Sequence, residues 1–147
     1  MTPEDISELA EHVADTWWLS AFADAVERAI DDGDETAREL HPGPGGDWAD
    51  MPYHPVPEGV YRFALDRLAR IGSGILREAW EAWRDASGLG LERFGHCLAM
   101  SSLGHGIGLT DDVYPVPAAV EVLAARKGLV ECVGFYSDGK VDFDYIG

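Results

Sequence analysis

The sequence is poor in positive charge, and lysine is especially rare. It holds 11 lysines and arginines, of which only two are lysines, against 27 aspartates and glutamates, so the formal net charge is −16. A field of this sign repels DNA, RNA and anionic membranes, and it attracts basic protein surfaces. We therefore expect a protein that does not bind nucleic acid or membranes directly and whose partners are basic.

Cysteine and long apolar runs are also scarce. The two cysteines, Cys97 and Cys132, are too few for a disulfide framework, which indicates a reduced, intracellular protein. No apolar run approaches the ~20 residues that cross a bilayer. The N-terminal segment is acidic and amphipathic, the opposite of a signal or transit peptide. These absences predict a cytoplasmic protein.

The chain does contain enough apolar material for a core. Its 147 residues are 46% hydrophobic and include five tryptophans, and this length corresponds to about one domain. We therefore predict a single domain over residues 1–147, mainly helical over residues 1–90. The adjacent Trp17 and Trp18 would point about 100° apart on a helix, so we expect that they cannot both bury fully in one seam. One of them, or Trp48, is a candidate exposed anchor for a partner.

Helical signals organise the first part of the chain. Thr2, Pro3 and Asp5 form a capping-box start, and apolar residues then recur at helical spacing. A second helical pattern begins at Pro57 and contains Gly72 and Gly74, which either bend it or admit another element.

From Gly95 onwards the spacing of the apolar residues changes from about 3.6 residues towards two residues, which favours strands. We predict a hairpin over residues 95–112 with its turn at Gly104-His105, a helix over 115–127, and a second hairpin around Asp138-Gly139. The expected fold class is α+β, with N-terminal helices packed on an antiparallel sheet of about four strands and a hairpin-helix-hairpin arrangement over residues 95–147.

The second hairpin has a defined expected register. Its pairs are Tyr136 with Val141, Gly134 with Phe143, and Cys132 with Tyr145. In this register Cys132 points towards the core, whereas Asp142 and Asp144 point to water.

The glycine-rich segment SSLGHGIGLTDD, residues 101–112, lacks the features of a phosphate loop. A phosphate loop leads directly into a helix and usually carries a lysine, but this segment leads into an apolar stretch and no lysine precedes residue 127. A hairpin turn is the favoured interpretation. The neighbouring donors allow an alternative, a metal site using His96, His105 and Asp111. In the expected hairpin register, however, His96 could meet Asp111 or Asp112 while His105 could not join them.

Nucleophilic catalysis is not favoured by the sequence. A reactive thiolate needs an electropositive neighbourhood, and this chain is electronegative. Ser101 and Ser102 lack the sharp strand-to-helix turn that exposes a hydrolase nucleophile. We expect no catalytic residue and no cofactor.

The acidic residues are unevenly distributed along the chain. Residues 1–50 carry 14 acidic and two basic residues, a net −12, whereas residues 51–100 balance at six and six. At helical spacing, Glu4, Glu8, Glu11 and Asp15 form one continuous stripe. The predicted docking residues are this stripe and a cluster at the far end of the helix: Glu4, Glu8, Glu11, Asp15, Asp31, Asp32, Asp34 and Glu35.

The C-terminal third resembles a group of small uncharacterised proteins of phages and mobile elements. The matching segments are GHCLAMSSLGHGIGLTDD (95–112) and LVECVGFYSDGKVDF (129–143). The sequence departs from that pattern at residues 98–103, where such proteins usually carry an aromatic strand and Thr-Arg-Asn. The resemblance implies no catalytic residue. It implies a context in which small acidic proteins act on host machinery, including restriction and CRISPR systems.

Together these features predict a non-enzymatic, phage-type inhibitor that binds a basic, nucleic-acid-binding host defence complex in the host cytoplasm. Its acidic helix would mimic nucleic acid, and anti-CRISPR or anti-restriction activity is the favoured class. The alternatives are a small metal-dependent enzyme using His96, His105 and Asp111, and a structural or oligomerisation module.

Overall fold

The computed structural model describes residues 1–48, 56–103, 108–125, 131–137 and 139–146. These residues form five α-helices, one 3₁₀ helix over Glu35–Leu40 and two strands. The helices are α1 (Pro3–Asp31), α2 (Glu58–Ile71), α3 (Ser73–Ser87), α4 (Leu91–Ser102) and α5 (Ala118–Ala124), and the strands are β1 (Glu131–Ser137) and β2 (Lys140–Ile146).

The expected fold class is wrong in its sheet. The described residues contain a single two-stranded antiparallel sheet, β1–β2, rather than about four strands, and most of them are helical. The hairpin expected over residues 95–112 is replaced by α4 and a series of turns that begins at Gly108. The expected turn tip, including His105, lies outside the described residues. The hairpin-helix-hairpin arrangement is therefore corrected to helix, turns, helix and hairpin.

Helix α1 begins as the sequence predicts. The Thr2 side chain accepts a hydrogen bond from the Asp5 backbone N–H, and the Asp5 carboxylate accepts one from the Thr2 backbone N–H. This reciprocal bonding satisfies two amide groups that a helix start otherwise leaves without intrahelical partners.

Neither Trp17 nor Trp18 is the exposed anchor that the sequence offered as a candidate, because they are 3% and 4% exposed. The buried side of α1 is wide enough for two adjacent columns of side chains. Leu9, Val13 and Trp17 belong to one column at four-residue spacing, and Ala14, Trp18 and Phe22 belong to the other. Adjacent tryptophans that would not fit in a narrow seam are therefore both buried.

The two halves of α1 meet different elements. In the first half, Trp17 packs against Phe63 of α2, and Leu9 lies beside Gly95 of α4. In the second half, Ala21 and Ala25 lie against the backbone of β1. Helix α1 is thus the central element on which α2, α4 and the C-terminal hairpin pack, whereas α3 packs mainly on α5.

The second helical pattern is interrupted at Gly72, which ends α2 and precedes α3. Its φ of 97° lies in the region that favours glycine, so the backbone can turn there without strain. Helix α3 in turn ends at Gly88, in the left-handed conformation with φ 72°. The glycines thus mark the boundaries of α3.

The register expected for the C-terminal hairpin is confirmed. Tyr136 pairs with Val141, Gly134 with Phe143 and Cys132 with Tyr145. Asp142 is exposed as expected. The orientations expected for the Cys132 and Asp144 side chains, and the turn residue Asp138, lie outside what the structure describes.

The segment after residue 107 is held against the helices by buried side chains and backbone bonds. Leu109 and Val113 are 0% and 2% exposed. The Leu109 N–H donates to Ser101 Oγ, and its carbonyl accepts a hydrogen bond from Trp83 Nε1 at 3.1 Å. Across the described ranges, no helix combines the length and the apolar composition needed to span a bilayer.

Candidate binding surface

Four of the predicted docking residues lie on the solvent side of the first half of α1. Glu4, Glu8, Glu11 and Asp15, here called the acidic stripe, are all exposed. Their spacings of four, three and four residues keep them on one side of the helix, away from Leu9 and Val13. A helix rises about 1.5 Å per residue, so the stripe is about 16 Å long.

The other four predicted residues do not join this stripe. Asp31 and Asp32 end α1, and Asp34 and Glu35 begin the 3₁₀ helix. Helix geometry places Asp31 about 24 Å beyond Asp15 and on the opposite side of the axis. The structure therefore divides the eight residues into two groups rather than one patch.

The second group is also engaged in local structure. The Asp34 carboxylate accepts hydrogen bonds from the backbone N–H and the hydroxyl of Thr36. Glu35 forms an ion pair with Arg38 at 2.8 Å. By contrast, no lysine or arginine among the described residues forms an ion pair with the acidic stripe.

A cleft of about 460 Å³ borders the stripe where α1 faces the start of α4. One wall carries His12, Asp15 and Thr16, and the other carries Gly90, Glu92, Arg93 and His96. Partial burial raises the pKa of Asp15 above its usual value; His12 opposes this effect, while the negative charges of Glu11 and Glu92 add to it. Glu92 therefore extends the negative charge of the stripe onto α4, where Arg93 of the same wall is paired with Asp112 at 3.0 Å.

A second cleft, of about 380 Å³, borders the other side of the stripe and faces α2. Glu11 and Asp15 line it together with Val56, Glu58 and Tyr61. The Glu58 carboxylate is paired with Arg62 at 3.0 Å, so this side is less negative than the residue types alone suggest. The C-terminal part of the stripe, Glu11 and Asp15, thus lies between two clefts. The cleft that faces α4 holds Glu92, which forms no ion pair with any residue that the structure describes.

The wall of the α1–α4 cleft contains a hydrogen-bonded histidine. His96 Nδ1 lies 3.1 Å from Thr16 Oγ1, and the Thr16 hydroxyl lies 3.2 Å from the backbone carbonyl of His12. Burial lowers the pKa of His96, and the positive charge of Arg93 acts in the same direction against the smaller effect of Asp112. This interaction connects the two helices at the floor of the cleft.

Cys97 faces away from this cleft towards Asp112. The Asp112 carboxylate accepts hydrogen bonds from Arg93 Nε at 3.0 Å and from the Cys97 thiol at 3.5 Å. Cys97 is fully buried, and its burial raises the pKa of the thiol to about 11. The thiol is therefore a hydrogen-bond donor in the core rather than a nucleophile.

We predict that Cys97 resists alkylation in the folded protein. In a Cys132→Ser variant, which leaves Cys97 as the single thiol, roughly one thousandth of the thiol is ionised at pH 8. Iodoacetamide labelling followed by mass spectrometry should be at least about 100-fold slower than in urea. Labelling at the same rate in both conditions would contradict the buried, protonated thiol.

The metal alternative gains no support from the geometry. Asp111 accepts a hydrogen bond from the Gly108 N–H at 2.8 Å, which makes it a turn-capping residue, and His96 is bonded to Thr16. His105 lies outside the described residues. Within the part of the chain that the structure describes, no group of three or more His, Cys, Asp or Glu side chains could hold a metal ion.

Sequence reasoning found the stripe but missed the opposite wall of the cleft. Glu92, Arg93 and His96 share one side of α4, a relation hidden by the expectation that a strand begins at Gly95. The signal that could have found them is the buried helical pattern Phe94, Cys97 and Leu98. Comparison of the chain with protein-family models, curated proteins and solved structures gave no match.

Proposed function

We propose that this protein binds a basic surface of another protein through the acidic stripe of α1. The observation that carries the proposal is the stripe itself: four exposed carboxylates on one side of a long helix, with no lysine or arginine paired to them among the described residues. Carboxylates without such partners are available to an external cation. The central packing of α1 supports this role, because a well-supported helix presents its charges in a fixed arrangement.

The stripe has the features of a partial nucleic-acid mimic. Its carboxylates recur about every 4.5 to 6 Å along the helix axis, whereas the phosphates of one DNA strand recur about every 3.4 Å. A cationic groove built for phosphates would meet charges of the right sign at a lower density. Binding should therefore be strongly salt-dependent, as it is for nucleic acid.

The proposed target is a nucleic-acid-binding defence complex of a host cell, which this protein would bind in the host cytoplasm. The resemblance of residues 95–112 and 129–143 to small phage proteins supports this class, which includes CRISPR effectors and restriction enzymes. The mechanism is competition, in which the stripe occupies the groove that the nucleic acid would fill. No catalytic step is part of the proposal.

The proposal predicts that charge reversal on the stripe abolishes competition. We would screen purified CRISPR effectors and restriction enzymes for complexes whose DNA binding this protein inhibits. The triple variant Glu8→Lys, Glu11→Lys, Asp15→Lys should inhibit roughly 10- to 150-fold more weakly, because each lost charge pair contributes about 0.5–1 kcal/mol. Measurements at low and high salt should show that inhibition by the unaltered protein falls with salt.

The matched control changes the same net charge elsewhere. Glu78, Glu81 and Asp85 are exposed on α3, so Glu78→Lys, Glu81→Lys, Asp85→Lys alters the global charge equally and leaves the stripe intact. This variant should keep most of the inhibition. Equal losses in the two triple variants would contradict a specific role for the stripe, and no inhibition of any complex would overturn the proposed target class.

A further inference from the structure

Two histidines lie in the α1–α4 cleft, immediately beside the proposed binding surface. His12 Nε2 is 3.7 Å from the carboxylate of Glu8, a member of the stripe, and His12 lines the cleft together with Asp15. His96 faces them from α4 and is bonded to Thr16. Both side chains are partly accessible rather than fully buried.

We infer that the acidic surface is pH-gated: protonation of His12 and His96 in mildly acidic solution weakens its binding to a cationic partner. The inference rests on the proposed function and adds its regulation. Histidine is the side chain whose charge ordinarily changes between pH 5 and 8. The change of charge acts on the part of the stripe beside the α1–α4 cleft, where Glu8 and Asp15 lie near the histidine rings.

The charged groups around the two rings determine the direction of the effect. Helix α1 contributes Glu8, Glu11 and Asp15, and helix α4 contributes Glu92 and Arg93, with the protonated Cys97 behind them. The turn segment contributes Asp112 together with its neighbour Asp111. Among these described groups the carboxylates outnumber the Arg93 guanidinium, so the surface is negative when both histidines are neutral. Two imidazolium charges would offset a large part of this negative charge.

The hydrogen bonds allow this change of charge without disruption of the fold. When His96 Nδ1 carries no proton, the Thr16 hydroxyl can donate to it. When Nδ1 is protonated, it donates to Thr16 Oγ1, and the hydroxyl can donate to the His12 carbonyl instead. In both protonation states His96 Nδ1 and Thr16 Oγ1 stay hydrogen-bonded to each other, so the switch changes charge rather than the packing of α1 on α4.

Linkage gives the sign of the pH effect. A cationic partner in the cleft makes protonation of both rings less favourable, so bound partner lowers the pKa of each histidine. By reciprocity, protonation weakens binding by the same factor. Affinity should therefore be highest near pH 7.5 and fall as the solution is made acidic.

The experiment uses the full chain and an acetylated, amidated nona-arginine peptide, whose charge is constant over this pH range. We expect binding at pH 7.5 in 50 mM salt to weaken roughly three- to tenfold at pH 5.0. In the His12→Gln, His96→Gln variant, which keeps hydrogen-bonding side chains, this pH ratio should be clearly smaller than in the unaltered chain, and the remainder reflects protonation of the stripe, where the pKa of Asp15 is raised by burial. Histidine ring signals followed by NMR should show that added peptide lowers the pKa of both residues.

The outcomes separate the two proposals. If the peptide binds the α1 triple variant and the α3 triple variant equally at pH 7.5, the proposed surface fails, and the gate fails with it. If binding depends on the stripe but the double histidine variant keeps the full pH ratio, only the gate is overturned. If added peptide does not change the titration of the histidine ring signals, the gate alone is overturned. This holds even if the double histidine variant loses affinity because its packing is altered.

Discussion

Replacing Trp83 by alanine should lower the free energy of unfolding by about 4 kcal/mol, as expected for removal of a fully buried tryptophan. Trp83 is 0% exposed and packs against both Trp80 and Phe94, with ring centroids 6.2 and 5.3 Å away. Its indole N–H also donates to the Leu109 carbonyl, so truncation leaves a buried acceptor without its donor. Domains of this size are stable by about 5–15 kcal/mol, which makes the loss a large fraction of the total.

The Trp83→Phe variant separates packing from hydrogen bonding. Phenylalanine keeps much of the ring volume but cannot donate to Leu109, so we expect a smaller loss, about 1–2 kcal/mol. Urea unfolding followed by circular dichroism measures both variants. A Trp83→Ala protein as stable as the unaltered chain would show that α3, α4 and the segment after residue 107 do not share this core.

The parts of the fold that sequence predicted are those fixed by local chemistry. The capping box at Thr2 and Asp5 depends on residues three positions apart, and the C-terminal hairpin depends on alternation around a turn with Gly139 at φ 81°. Neither requires knowledge of distant packing. Both were therefore available from the residues alone.

The hairpin expected at 95–112 is wrong because tertiary packing at Gly95 favours helix α4 over a strand. In α4, a Cβ at Gly95 would lie 2.6 Å from His12 Cβ and 3.3 Å from Leu9 Cδ1. Gly95 therefore permits close contact between α4 and α1, although glycine is a poor residue for a helix interior. The apolar period after Gly95 indicated a strand, and the packing of α4 on α1 overrides it.

The candidate site was predictable only in part, because one wall of it is formed by tertiary packing. The stripe follows from the spacing of Glu4, Glu8, Glu11 and Asp15 on one helix. The cleft requires α4 to lie beside α1, which places Glu92 and His96 more than 75 positions along the chain from the residues they face. Such a juxtaposition depends on tertiary packing, and the incorrect strand at Gly95 concealed it.

The Gly134→Ala substitution should destabilise the protein by about 2–3 kcal/mol. An added Cβ would overlap the backbone carbonyl oxygen of Ala21, and it would lie 2.9 Å from the Ala21 carbonyl carbon and 3.0 Å from Ala25 Cβ. The clash is with helix backbone, which cannot rotate away as a flexible side chain could, so β1 or α1 must shift. This cost exceeds the roughly 0.5–1 kcal/mol that alanine gains over glycine by restricting the unfolded chain.

Gly74→Ala is the matched control, because it makes the same chemical change where space is open. No atom lies within 4 Å of a Cβ added at Gly74, which is exposed near the start of α3. The control should be neutral or more stable by up to about 1 kcal/mol. The two variants should therefore differ in Tm. Gly134→Ala should lower the Tm by about 5–10 °C, whereas Gly74→Ala should leave it unchanged or raise it. An increase in both variants would mean that β1 does not pack on the backbone of α1 at Ala21 and Ala25.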